Sequence, residues 1–340
     1  MPTYYQLSTI NHQLSTINHQ PSTINKIKQI ENICSQDVGR GIEPLAKFCQ
    51  GALMGAAFSI AQHPSPHIAI LTGFFIPHGT PPAAETDGLI GCAHLAAGLV
   101  RAEIPVRLVT DSLCANAVLR ACQVAGVPPT INYQPSTINH QPSHVPLDIL
   151  NVNSNTDSAV NAILNSWDHS LPPVSHVISI ERAGPSFDGK VRNMRGNDIT
   201  AYTAPLHLLF TNSKAISIAI GDGGNELGMG NLPRELVINN IKNGAEIACV
   251  IKSDYLIISG VSNWGAFGLL AALSLLRPDW KHGLTVGLNQ LSDYQILKTI
   301  VDEKLAVDGV TGLPDLSVDG LPLSDHHQIL AEILALIVDG

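Results

Sequence analysis

The chain reads as an α/β protein, a doubly wound and mostly parallel sheet with helices on both faces in a three-layer sandwich. Three observations predict it. Short β-branched apolar runs alternate with helical periodicities along the chain. Nearly every polar or Gly-rich cluster directly follows one of those runs, where an open parallel sheet gathers a ligand at the carboxyl ends of its strands. Charged residues are only 14% of the 340 residues, against 45% apolar. That lies below the usual quarter or so, so many helix faces must be covered rather than solvated.

The elements follow in order. Residues 37–62 carry Ile42, Leu45, Phe48, Cys49 and Ala52 at helical spacing. His67–Thr72 is a strand running into Gly73-Phe74-Phe75, and Glu85-Thr86-Asp87-Gly88 opens a helix of about 15 residues. Val106–Thr110 is the next strand, and Asp111-Ser112 caps a helix ending before Gly126. Asp148–Val152 is a strand, and Asn155-Thr156 caps a helix to Trp167. His176–Ile180 is a strand ending in Glu181-Arg182, before a polar loop from Asp188 to Ile199. Ala215–Ile220 enters the glycine stretch Gly221–Gly230, and Pro233 starts a helix to Asn243. Tyr255–Ser259 enters the loop Gly260–Gly265, an apolar helix leads to Leu276, and a last helix runs from Ser324 to Val338.

A repeat interrupts this rhythm. QLSTINH occupies residues 6–12 and again 13–19, QPSTIN follows at 20–25, and QPSTINH returns at 134–140. The seven-residue period is no coiled coil, because that needs two apolar seam positions per heptad, and Pro135 and Pro142 break helices. The expected organisation is a disordered low-complexity tail over 1–36 and one α/β domain over 37–340, with a repeat insertion at about 130–145.

Composition excludes several classes of partner. A formal charge of −9 without a basic patch argues against nucleic acid. The longest nearly apolar run, Trp264 to Leu276, is too short to span a bilayer. No signal-peptide core is visible, and the six cysteines lack CxxC spacing. A cytoplasmic protein with reduced core cysteines is expected. The low charged fraction is consistent with a homodimer.

The candidate centre is Gly221-Asp222-Gly223-Gly224-Asn225-Glu226-Leu227-Gly228-Met229-Gly230. Five glycines in ten residues let backbone approach a ligand and adopt positive φ. Asp222 and Glu226 put two carboxylates at the mouth of the preceding strand, and Asn225 adds an amide. The same stretch also fits a tight turn with Asp222 merely capping.

Eight blocks carry a family resemblance: Thr72–Phe75, Glu85–Gly88, Val109–Asp111, Glu181-Arg182, Asp188-Gly189, Asn193–Gly196, Gly221–Gly230 and Gly260–Gly265. In this order the chain resembles D-glutamate cyclase-like proteins over about residues 37–340. The resemblance implies conversion of D-glutamate to 5-oxo-D-proline and water. In the animal relatives the domain follows a hydro-lyase-like domain and lies in mitochondria. No counterpart of that domain or of a targeting segment is read here.

Such a ring closure asks the α-amine to attack the γ-carboxyl carbon. A base must deprotonate the ammonium, and a donor, cation or metal must offset charge on the γ-carboxyl oxygens. Asp222 and Glu226 are the first acid/base pair, with Asp188 as a further catalytic candidate. Arg182 and Arg195 are candidate carboxylate holders. The amides at Gly73, Gly223 and Gly224 would bind an oxyanion if a helix starts there. Asp87, Asn193, Asn225 and Asn263 complete the substrate-binding set. An oxygen-preferring divalent cation, Mg²⁺ or Mn²⁺, would be held by Asp222 and Glu226, with Asp188 and Asn225 in reach; no other cofactor is expected.

Structural alternatives stand beside these roles. Asp87 and Asp111 sit where helix caps belong, Arg182 equally suits pairing with Glu181 or Asp188, and Trp264 reads as packing. His63, His67, His78 and His94 form no metal-ligand pattern. A nucleotide enzyme is disfavoured, because Glu226 replaces the third glycine of GxGxxG and no GxxxxGK[ST] exists. A non-catalytic small-acid-binding paralogue is the rival from another class, motivated by the repeat insertion.

Overall fold

The computed structural model describes residues 21–131, 145–152 and 156–338. Nine strands come first: β1 (Ile68–Leu71), β2 (Phe75–Ile76), β3 (Ala83–Glu85), β4 (Val106–Asp111), β5 (Pro129–Ile131), β6 (Val145–Leu150), β7 (His176–Ile180), β8 (Ile216–Gly221) and β9 (Tyr255–Ile258). Three short ones follow, β10 (Ala306–Val307), β11 (Ser317–Val318) and β12 (Leu321–Pro322). Seven form the main sheet in the order β5-β6-β4-β1-β7-β8-β9, and every pair is parallel. The α/β, doubly wound expectation holds.

Parallel strands covered on both faces carry apolar residues on both. Alternate residues serve opposite layers, because successive strand side chains point to opposite faces. Ile68, Ile70, Ile178, Ile180, Ile218 and Ile220 pack with the helices Leu89–Arg101 and Ser262–Leu276. Ala69, Leu71, Val177 and Ala219 pack with Leu45, Trp167, Leu209 and Phe210 on the other side. The helix Ser262–Leu276 is buried at every residue but Leu275, as an all-round apolar helix must be. Gly91 and Gly98 let Leu89–Arg101 lie close against it, since a Cβ on either would meet Ala266 or Leu270 within 3.0 Å.

From β1 the chain adds β4, then the edge strand β5 and β6 between β5 and β4, and returns to the other side of β1 for β7, β8 and β9. The reversal lies between β1 and β7, so a ligand crevice is expected beyond their carboxyl ends. Two small sheets cover that edge. β2 and β3 form a hairpin with β10 parallel to β3, and β11 and β12 form a second hairpin.

The structure departs from the sequence reading at several boundaries. Residues 21–34 are a helix, not part of a tail ending at 36, because Ile27, Ile30 and Cys34 are buried against the core. Glu31 ties this helix in place, accepting from the amides of Gly51 and Leu53 at 2.8 and 2.9 Å. Residues 37–62 are two helices, Glu43–Phe48 and Ala52–Gln62, separated at Gly51 with φ 95°. β6 begins at Val145 rather than Asp148. Most of the repeats, residues 1–20 and 132–144, and Asn155 lie outside the described residues. Among the described residues no helix is long and apolar enough to cross a membrane. The six cysteines are unpaired, and all but Cys49 are buried.

Candidate functional site

The site assembles from strand ends that register places side by side. Ile180 pairs with Ile220 and Gly221 with Ile258, so Glu181, Asp222 and Ser259 emerge together at the carboxyl edge. β3 delivers Glu85 and, two residues on, Asp87. The β11–β12 hairpin adds Asp319, at φ 58°, before Gly320 at φ 75°. Two successive positive φ values are what an Asp-Gly hairpin turn adopts. Asp308 holds this hairpin, accepting from Ser317 Oγ at 2.7 Å and the Gly320 amide at 2.8 Å.

Six carboxyl groups therefore meet in one buried place: Glu85, Asp87, Glu181, Asp222, Glu226 and Asp319. Among the described residues one cation pairs with them, Arg40. Its guanidinium contacts Asp222 through Nη1 and Asp319 through Nη2, the latter at 2.7 Å. Arg40 is presented on a turn whose amides at 39, 40 and 41 are held by the Asp37 carboxylate. Gly41 is required there, with φ 83° and no room for a Cβ beside the Asn240 carbonyl.

Electrostatics follow from six acids around one guanidinium. Burial pushes Glu85 well above the ordinary carboxylate range, and the nearby Asp319 and Asp87 push it further. Burial does the same to Glu181, with Glu226 and Asp87 adding repulsion. Asp222 is raised by burial although Arg40 opposes the shift. Asp87 is raised to about 8 by burial and Asp319, against three backbone N–H groups that lower it. Carboxyls held neutral near pH 7 donate as well as accept protons.

The sequence candidates fall into three sets. Asp222 is central. Glu226 is buried in the cluster, but its two oxygens accept from the amides of Gly223 and Gly224 at 2.8 Å each. This corrects the expected oxyanion role of Gly223 and Gly224. Their N–H groups are filled by Glu226, and no helix starts there; the next helical turn is the short Met229–Asn231. Gly224 supplies the left-handed backbone that wraps the loop around the carboxylate, at φ 97°.

A second set holds the site together. Asp87 caps the Ser262–Leu276 helix from outside, accepting from the Ser262 and Asn263 amides at 2.8 and 2.9 Å. Asn263 lies in that helix's first turn rather than in a loop. Its Oδ1 accepts from the Gly91 amide at 2.7 Å and so joins two helices. Arg182 pairs with neither Glu181 nor Asp188. It donates to Asp111 Oδ2 at 2.6 Å and to the carbonyls of Gly73 and Ala204 at 2.5 Å, and is not a free carboxylate holder. Gly73 thus serves through its carbonyl. Asn225 donates to the Arg192 carbonyl at 2.9 Å, while its buried Oδ1 finds no donor.

The third set lies outside the cluster. Asp188 pairs with Arg192 at 2.6 Å in the polar loop, apart from the buried acids, and that hydrogen bond holds its carboxyl below the ordinary range. Asn193 closes its own turn by accepting from the Arg195 and Asn197 amides. Arg195 is exposed and donates to the Val310 carbonyl at 2.8 Å, tying this loop to the connection between β10 and β11.

Sequence reasoning missed Arg40, Glu85, Glu181 and Asp319 as site members. The signals were present: an arginine between two glycines, and an Asp-Gly pair between Val318 and Leu321. The oxygens of Asp87, Asp222 and Asp319 lie within 4.8 Å of one another, as do those of Glu181, Asp222 and Glu226. Asp222 belongs to both trios.

Acidic groups enclosed at the switch point of a doubly wound sheet define an α/β protein with a carboxylate site. Residues 30–334 match the family described as D-glutamate cyclase-like, C-terminal. The chain belongs to that family. It is 31% identical over 338 residues to the human mitochondrial D-glutamate cyclase, covering 92% of this chain and 52% of the human protein. The chain thus spans about half the length of that relative.

Proposed function

We propose that the chain is a D-glutamate cyclase, closing D-glutamate to 5-oxo-D-proline with loss of water. The observation that carries this reading, beside family membership, is the buried group of six carboxyls around Arg40. In the reaction the amine nitrogen bonds to the γ-carboxyl carbon and one γ-oxygen departs. Two protons leave the ammonium nitrogen and the same number arrive on the departing oxygen. A pair of carboxyls with one proton between them suits that relay, because one accepts while its neighbour donates.

Asp222 is the assigned proton acceptor, because burial raises it and so makes its carboxylate a stronger base, while the Arg40 contact opposes that shift. Glu181 is the assigned donor, raised by burial and hydrogen-bonded by Ser262 Oγ at 2.7 Å. Glu226 shapes the loop that positions Asp222. The Asp222 trios also fit Mg²⁺ or Mn²⁺, because their donors are all oxygen and Asp319 Oδ2 is buried without a donor. A bound dication would supply Lewis-acid stabilisation to the γ-carboxyl.

The non-catalytic small-acid-binding reading rested on the repeat insertion. Its described flanks, Ile131 and Val145, lie on β5 and β6 at the far edge. β5 is five strand positions from β8, about 24 Å at usual spacing.

The test is incubation of purified protein with D-glutamate or L-glutamate, with EDTA or added Mn²⁺, following 5-oxoproline by chiral chromatography. Product from the D-form alone is expected, with Asp222→Asn slowing turnover about 10²- to 10⁴-fold. No product from either enantiomer under any condition would sink the reading.

A further inference from the structure

We propose that Arg40 is the receptor for a substrate carboxylate, and that binding proceeds by ion-pair exchange in which the incoming carboxylate takes the place of Asp319. The inference deepens the cyclase reading and rests on it for the identity of the acid.

Four observations lead there. Both arginines expected to hold a carboxylate are committed elsewhere, Arg182 to Asp111 and two carbonyls, Arg195 to the loop at Val310. Arg40 is the one cation paired inside the acid group among the described residues. It is also the member most open to solvent, its side chain 17% exposed against 2% for Asp222 and 4% for Asp319. An anion entering from outside therefore meets Arg40 first, and without it would meet only carboxyls.

The fourth observation separates its two partners. Asp222 follows β8 and is fixed by the sheet. Asp319 sits at the tip of a hairpin at φ 58°, with Oδ1 on Arg40 and the buried Oδ2 without a donor. Asp222 likewise has no donor beyond its Arg40 contact among the described residues, so the position of Asp319 on a hairpin tip is what makes it the weaker competitor. A substrate carboxylate can take the planar Nη2 side of the guanidinium by the same charge-assisted geometry. Exchange of one carboxylate for another keeps both sides of the Arg40 guanidinium paired. Asp222, the assigned base, stays on Nη1, so the guanidinium holds the base and the substrate on one rigid fork.

The test compares Arg40→Gln, Arg40→Lys and Asp319→Asn with the wild type, using two readouts. One is the KM and kcat for D-glutamate, and the other is calorimetric binding of glutarate, a dicarboxylate that has no amine and cannot cyclise. Arg40→Gln should weaken both KM and glutarate binding about 10- to 100-fold. Arg40→Lys should recover part of that loss. Asp319→Asn should tighten both about 3- to 10-fold by freeing the guanidinium. A merely structural Arg40–Asp319 pair would make both variants worse, so the opposite signs are diagnostic.

Unchanged glutarate binding in Arg40→Gln overturns the exchange while leaving the cyclase reading intact if the wild type cyclises. Arg40-dependent glutarate binding with no cyclisation overturns the cyclase reading and keeps the exchange. If Arg40→Gln loses its native circular dichroism, Asp319→Asn decides alone, and unchanged or weaker binding there overturns the proposal.

Discussion

Arg182 and Arg40 both bring a guanidinium to the carboxyl edge of the same sheet, and their surroundings are opposite. Arg182 meets one carboxylate and two carbonyls, all within 2.6 Å, and ties β1, β4 and the residues before the helix His207–Asn212 into one knot. Arg40 is outnumbered, one cation among six carboxyls. A buried pair of matched charge is complete in itself. A buried excess of one sign is costly unless protons or an external cation balance it.

The comparison predicts opposite outcomes for similar substitutions. Arg182→Ala should have the largest effect, destabilising by about 3–5 kcal/mol because Asp111 is left buried and unpaired, as read by urea unfolding. Asp111→Asn should destabilise in the same direction. A wild-type midpoint in either variant would break the distinction.

Glu226→Gln comes next, at about 1–3 kcal/mol, because an amide nitrogen must then face a donating backbone N–H of Gly223 or Gly224. Turnover should fall with it, since the loop positions Asp222. In contrast to Asp111→Asn, Asp222→Asn should leave the unfolding midpoint unchanged or raise it while turnover collapses. It relieves repulsion with Glu181 and Asp319. Loss of stability there would show that the acid group is a structural network like the Arg182 knot.

A further effect is expected from pH. Asp87 is raised to about 8 when folded, so its folded form keeps a proton that the unfolded chain releases near pH 4, roughly its ordinary value. Its contribution is full below that pH and is lost as pH rises toward 8. The melting temperature should fall across this window, and Asp87→Asn should flatten the slope. The smallest effect belongs to Asp188→Asn, which breaks an exposed pair with Arg192 and should change neither stability nor turnover measurably.

The fold was legible where local pattern suffices. The β-branched runs at Ile68–Leu71, His176–Ile180 and Ile216–Gly221 are strands within a residue or two of their expected ends. The helix Pro21–Cys34 was obscured, because its first residues share the repeat unit and only packing shows that Ile27 and Ile30 are core. In the candidate site, the sequence singled out Asp222, Glu226, Asp87, Arg182 and Asn263, but their partners were not legible. Asp87 caps a helix 175 residues away, and Arg182 meets an aspartate 71 residues away.

The sequence by itself determined the alternation of strands and helices, the parallel sheet, and the gathering of polar clusters at one edge, because hydrophobic period and turn chemistry act over a few residues. Only the tertiary structure decided which acids share one buried volume, that Glu226 clamps its own loop, and that Arg40 rather than Arg182 is the cation facing them. Charge pairing and burial depend on which strand ends become neighbours, and that is fixed by topology rather than by any local run of residues.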